Sequence, residues 1–196
     1  MKVIYGTTNE NKLKEIKNYF KDYDMEVVSL KDIGFDKEIV EDGDTFLANS
    51  LIKAKAINEY CHANNINSAI LTDDAGLCVH SLDDKPGVHT ARYAGDHAPQ
   101  LVALNKLLEE LKNCDDRSAT FYCALTFVWN DEYIQVLGHK DGMISETIGK
   151  LGGFTFGPVF IPMGYNKPYN ELDNFETHRH NAFNLLIDEL KKRQII

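Results

Sequence analysis

Long apolar runs are missing from this chain: no stretch of its 196 residues approaches the roughly 18 consecutive apolar residues that span a bilayer. The opening, Met1 to Tyr5, turns polar at Gly6 before a signal-peptide core could form, so a cytoplasmic protein is expected. Cysteine is sparse and scattered. Cys61, Cys78, Cys114 and Cys123 form no C-x-x-C pair, which removes the usual zinc and dithiol patterns and leaves reduced filler as their expected role. Basic residues are in deficit, with 21 Lys and Arg against 30 Asp and Glu and a formal net charge of −9. That balance repels duplex DNA and anionic bilayers, so neither nucleic acid nor membrane is an expected partner. A small anion in a locally basic pocket is compatible with it. No G-x-S-x-G elbow, H-E-x-x-H pair, internal repeat or Pro/Ser/Gly linker is present, and a single domain is expected over 1–196.

What remains is ordinary globular composition, 43% hydrophobic and 26% charged, with clear periodicities. Val3 to Tyr5 reads as a strand, Gly6 to Asn11 as a tight polar loop, and Asn11 to Tyr23 as a helix with Leu13, Ile16 and Phe20 inward. Glu26 to Leu30 suits a second strand. Thr45 to Cys61 suits a helix capped by Asp44, its Leu47, Leu51, Ala54, Ile57 and Cys61 on one face and Phe46, Asn49 and Lys53 on a separate stripe. Ala69 to Leu71 is a buried-strand run that Asp73 and Asp74 interrupt before Leu77 to Val79 resumes it. A helix from about Pro99 to Leu111 has Leu101, Leu104, Leu108 and Leu111 facing inward. A hairpin follows, Ala119 to Trp129 and Tyr133 to Gly138, then a Gly- and Phe-rich loop, a strand at Val159 to Ile161, and a last helix from Thr177 to Arg193. Early alternation of strand and helix around a central hairpin predicts a mixed-sheet α/β fold.

Three segments carry chemistry. Thr7, Thr8, Asn9, Glu10, Asn11 and Lys12 place hydroxyls, amides and backbone N–H groups between a strand end and a helix N-terminus, where an anion is favoured. It is not a Walker A loop, because Leu13 stands where Ser or Thr would hold magnesium. A capped helix start with a solvated lysine is the plainer alternative. Asp73 and Asp74 repel one another unless a cation or donors compensate; as successive strand residues they point to opposite sides, so one faces a metal while the other caps a turn. Plain turn chemistry for Asp-Asp-Ala-Gly is the alternative here. Glu41 sits in a Gly-broken acidic loop. His178 and Arg179 fall in the first turn of the last helix, where a cationic pair opposes the dipole and calls for a partner.

These motifs together resemble the Ham1/RdgB/ITPA family of inosine triphosphate pyrophosphatases. The resemblance is carried over nearly the whole length by Thr7, Asn9 and Lys12 (T-x-N-x-x-K), then Glu41, Gly43, Thr45, Phe46, Asn49 and Lys53. It continues with Asp73 to Leu77, and Ala91, Arg92, Tyr93 and Gly95 (A-R-Y-x-G). It implies an elongated mixed β-sheet flanked by helices, in two lobes with a central cleft, assembled as a homodimer. It further implies Mg²⁺, with Mn²⁺ as an alternative ion, held by Glu41 and Asp74, and water activated by Asp74 with Lys53 as a second catalytic group. A nucleoside triphosphate would lie on Thr7 to Lys12, Asn49 and Ala75, and its base on Phe154, Thr155, Phe156, Gly157, His178 and Arg179.

The chain departs from the family pattern where the base is read. Phe154-Thr155-Phe156-Gly157-Pro158 replaces F-G-[YW]-D-P, so an acid gives way to Gly157; the lysine usually found shortly before Thr177-His178-Arg179 has no counterpart, and Ala75 replaces a serine. The expected activity is hydrolysis of non-standard purine nucleoside triphosphates to the monophosphate and pyrophosphate. A diphosphatase of altered base specificity and a non-catalytic nucleotide-binding protein are the rivals. The related Maf family is disfavoured because its S-x-S-P-R-R start is absent.

Overall fold

The computed structural model describes residues 1–173 and 175–196, and every side chain among them except that of Asn11. The elements follow as β1 (Lys2–Tyr5), α1 (Glu10–Tyr19), β2 (Glu26–Ser29), α2 (Phe46–Ala63), β3 (Ala69–Val79) and β4 (Lys85–Pro86). Then come α3 (Gln100–Glu110), β5 (Ser118–Trp129), β6 (Glu132–Ile144), β7 (Phe160–Pro162) and α4 (His178–Lys192). Hydrogen bonds order the strands β2-β1-β3-β5-β6-β7, with β4 on β3. β1 runs parallel to both neighbours, Ile4 opposite Val28 and Ile70, whereas β6 and β7 are antiparallel, Met143 opposite Ile161. Between β5 and β6 only Asn130 and Asp131 intervene, both at positive φ (49° and 63°), as a two-residue hairpin turn requires. The sheet is therefore mixed. Among the described residues no helix is long and apolar enough to cross a membrane.

The chain divides into two compact units, one of Met1–Asp74, Cys123–Gly138 and Ala182–Ile196, the other of Ala75–Tyr122 and His139–Asn181. In the first, Ile4 and Ile70 pack with Ala54, Ile57 and Cys61 of α2 and with Leu30, Phe35 and Val128. Each fully buried isoleucine contributes roughly 1.5–3 kcal/mol of transfer free energy. Apart from that cluster, Phe183 of α4 stacks on Tyr19 at 4.4 Å and meets Phe20 edge-on at 5.2 Å, which docks α4 against the end of α1. In the second unit, Leu77 and Val79 join Ala103, Leu104, Leu107 and Leu111, together with Phe121, Phe156, Val159, Phe160 and Tyr169.

Several expectations are corrected. β3 is one continuous strand through Asp73 and Asp74, because every polar group it buries finds a partner: the Thr72 hydroxyl donates to the Ser50 carbonyl at 2.7 Å, and both carboxylates accept hydrogen bonds. Thr45, not Asp44, caps α2; its extended backbone lets Oγ1 accept from the Ala48 N–H at 3.1 Å. Phe46, Asn49 and Ser50 lie on the buried face of that helix, while Leu47 and Leu51 are only half-buried. α1 ends at Tyr19, four residues early, as Phe20 to Asp24 wind into turns. Pro99 precedes α3 rather than opening it, and the inward stripe is Ala103, Leu104 and Leu107 with Leu101 exposed.

One glycine decides a packing distance. A Cβ on Gly138 in β6 would sit 2.5 Å from the Ala182 Cα and 2.7 Å from its Cβ, so only glycine lets this strand approach the start of α4. Gly138→Ala should destabilise the protein by about 3 kcal/mol; urea unfolding would read this as a lower midpoint, and an unchanged midpoint would contradict the packing.

Candidate active site

The loop after β1 is built by its own polar side chains. The Thr7 Oγ1 accepts from the Asn9 N–H at 3.1 Å, and the Asn9 Oδ1 accepts from the Lys12 N–H at 3.2 Å, so Asn9 caps α1. Glu10 in the first turn complements the helix dipole. Thr7 is buried, whereas Thr8, Asn9 and Glu10 are exposed. The capping alternative is thus realised in full for Asn9. Lys12, however, is not a solvated lysine: its Nζ lies 2.8 Å from the Asp73 Oδ2. Asn11 carries a side chain outside the described residues.

Asp73 and Asp74 have separate partners, as opposite-facing strand residues should. Asp73 is 2% exposed and accepts from the Tyr5 hydroxyl at 2.7 Å on Oδ1 as well as from Lys12 on Oδ2. Asp74 is half-buried, and its Oδ2 accepts from the Asn49 amide at 3.1 Å. The Asn49 Oδ1 in turn accepts the Gly43 N–H at 2.8 Å, which leaves no doubt which end of the amide faces the acid. A Cβ on Gly43 would stand 2.8 Å from that same oxygen, so the glycine of the acidic loop exists to let the loop close on α2. Asn49, expected to reach phosphates, uses its acceptor on the Gly43 N–H and one amide N–H on Asp74. Lys53, one turn further along α2, places its Nζ 2.8 Å from the Glu41 Oε2.

This setting moves the acidity of Asp74. Burial raises its carboxyl above the ordinary carboxylate range; Lys53 and the Asn49 hydrogen bond oppose the rise, and the charges of Glu41 and Asp73 add to it. Thr7, Asn9, Lys12, Glu41, Asn49, Lys53 and Asp74 all belong to the first unit. Hard carboxylate oxygens suit a small divalent cation. No group of three or more His, Cys, Asp or Glu side chains that could hold a metal occurs among the described residues. Glu41 and Asp74 are the carboxylates that would hold an ion which takes one or two carboxylates and completes its coordination with water and phosphate, as Mg²⁺ does.

The remaining expected residues belong to the second unit, which begins at Asp74's own strand neighbour, half-buried Ala75. Thr177 caps α4, its Oγ1 accepting from the His180 N–H at 3.2 Å. His178 is 1% exposed and stacks on Phe121 at 4.8 Å, and the Arg179 guanidinium lies 5.3 Å from the centre of the half-buried Phe154 ring. Phe156 was expected to offer a face to a base. It is fully buried instead, edge-on to Tyr93 at 5.8 Å, because it fills the core beneath α3. Gly157 is explained by Asn170: a Cβ at 157 would meet the Asn170 Cγ at 2.9 Å, so the acid's place is taken by that amide. Asn170 donates to the Lys150 carbonyl at 3.2 Å and to the Gly152 carbonyl. Gln100 clamps the same loop, its amide N–H groups shared among the carbonyls of Gly152, Phe154 and Thr155 at 3.0–3.1 Å. Half-buried Thr155 lies in that clamped stretch.

Sequence reasoning missed Tyr5, Gln100 and Asn170. Tyr5 carried one signal, a hydroxyl at the end of an otherwise aliphatic strand; the other two lie far from any motif and had none.

A mixed α/β protein in which α1 and α2 set Lys12 and Lys53 against Asp73 and Glu41 is the class that the fold and these contacts define. The chain belongs to the Ham1 family, whose sequence profile matches residues 3–189. It is 37% identical over 194 residues to the dITP/XTP pyrophosphatase of Clostridium tetani, covering 96% of each chain. It is 38% identical to that of Clostridium perfringens, covering 97% of each. Among solved structures, the Ham1 protein of Staphylococcus aureus superposes with a TM-score of 0.86 at 29% identity, over 98% of this chain and 100% of that one.

Its weakened acidity makes Asp74 a pH-dependent cost to the fold. Between the ordinary carboxylate range and the higher folded value, the folded protein binds more protons than the unfolded chain, so the stability due to this group falls as pH rises. In chelator-treated protein, Asp74→Asn should melt higher than the parent at neutral pH, and the gap should close below about pH 4. A lower melting temperature at neutral pH would contradict the burial cost.

Proposed function

We propose that the protein hydrolyses non-standard purine nucleoside triphosphates, dITP and XTP among them, to the monophosphate and pyrophosphate. The observation that carries this is the cluster on one unit in which Asp74 is held by Asn49 beside the Lys53–Glu41 pair while Lys12 stands on the neighbouring Asp73. A triphosphate brings roughly four negative charges to an acidic protein, and local cations must offset them. Lys12 and Lys53 supply two. Exposed Thr8 and Glu10 at the start of α1 add backbone N–H groups for phosphate oxygens.

In this reading Asp74 takes the proton of the attacking water, and burial has raised its proton affinity toward what a general base requires. Asn49 restrains the carboxylate that takes the proton. Lys53 holds Glu41 and shields the like charges of Glu41 and Asp74 from one another. Glu41 and Asp74 are the residues that would hold Mg²⁺, and the ion, when bound, supplies charge neutralisation and orientation of the phosphates. Half-buried Phe154, buried Arg179 and the Gln100-clamped loop are the candidate readers of a base. The protein works on this reading as a single domain of two lobes, a cytoplasmic homodimer.

A second reading, relaxed base selection, is favoured by Gly157 and buried Phe156: the acid is missing, and one aromatic ring has no free face. A panel of ribo- and deoxyribonucleoside triphosphates separates the two. Pyrophosphate released from dITP and XTP at least about 10²-fold faster than from dATP supports 6-keto readout; rates within tenfold support the relaxed form. Orthophosphate as the product, or no turnover with Mg²⁺, would remove both. Asp74→Asn should lower turnover by about 10² to 10⁴, and Lys53→Ala should lower kcat/KM by about 10²; near-parental rates would take either residue out of the reaction.

A further inference from the structure

We infer that Tyr5 is a positioning residue for Lys12, acting through Asp73; the inference rests on the phosphate-binding role of Lys12 given above. Tyr5 is fully buried, and its backbone is pinned on both sides by parallel pairing, opposite Ser29 on β2 and Leu71 on β3. Its hydroxyl is therefore fixed in space by the sheet. It donates to the Asp73 Oδ1 at 2.7 Å, while the Asp73 Oδ2 holds the Lys12 Nζ at 2.8 Å. A carboxylate with one oxygen tied down cannot swing, so the other oxygen presents a fixed seat to the ammonium.

Two effects follow for a bound polyanion. A lysine side chain has many rotamers to lose, and a seat prepared before the substrate arrives removes part of that loss from the binding step. The phenol also draws charge from the carboxylate through its hydrogen bond, which leaves the ammonium less fully neutralised and more attractive to phosphate. Lys12 keeps two further N–H donors beyond the one given to Asp73, and its side chain is 32% exposed, so it is open to a ligand.

The test is a double-mutant cycle on kcat/KM with dITP and Mg²⁺. Tyr5→Phe, which removes only the hydroxyl, should lower kcat/KM by about five- to thirty-fold, mainly through KM, the size expected for one buried charge-assisted hydrogen bond. In a Lys12→Met background the same substitution should cost less than about twofold, because the seat has nothing left to hold. Equal losses in both backgrounds would show a general structural effect and overturn the inference while leaving Lys12 in its role. No loss in Tyr5→Phe would overturn it as well. Unchanged kinetics in Lys12→Met would instead overturn the phosphate role itself, and the inference with it. Should Tyr5→Phe fail to fold, as judged by its thermal transition, Asp73→Asn runs the same cycle and must show the same non-additivity with Lys12→Met.

Discussion

Two carboxylates side by side in a buried strand are the constraint on which the structure turns. Asp73 and Asp74 stand near the middle of β3, flanked by Leu71 and Leu77, both fully buried. Left alone they would repel one another and resist dehydration at a cost of several kcal/mol each. Pleating sends them to opposite faces, and each face provides for its own acid: Tyr5 and Lys12 for Asp73, Asn49 for Asp74. The loop after β1, the acidic loop before α2 and the first turns of both helices are arranged by this need. Asp73 is the more deeply buried of the two, and Asp74 stays half-buried.

The arrangement also shows how an acidic protein handles a polyanion. Net charge acts at long range and is screened within about 10 Å at moderate salt, whereas Lys12 and Lys53 act at contact distance in a partly dehydrated setting. Each lysine rests on a carboxylate, so neither is an uncompensated buried charge before the substrate arrives. Gly43 has a matching role. It admits the loop close enough for the Asn49 amide to bridge the loop backbone and Asp74, which ties the Glu41 segment to β3.

Much of this was legible in residue order. Ile4, Ile57 and Leu104 announced their elements by periodicity, and Thr7, Asn9, Lys12, Asn49 and Lys53 announced a family. What stayed hidden was whatever depends on a partner far along the chain. Asp-Asp-Ala-Gly reads locally as a turn, and only Tyr5, Lys12, Asn49 and Ser50, distant in sequence, make it a strand. Asp44 is the better cap by residue type, yet Thr45 holds the extended backbone at the helix start and makes the bond. Gly157 read as a lost acid, and the Asn170 amide that occupies its place lies thirteen residues away with no motif around it. Phe156 kept the aromatic pattern yet serves the core, because spacing cannot say which side of a loop faces inward.

The central claim is that the Asp74 cluster drives water onto the α-phosphorus. It is tested most directly by hydrolysing dITP with Mg²⁺ in water enriched in the heavy oxygen isotope and weighing both products. Label in the nucleoside monophosphate, with unlabelled pyrophosphate, is the predicted result. Label in pyrophosphate, or release of labelled orthophosphate, would place the attack on another phosphorus and contradict the account.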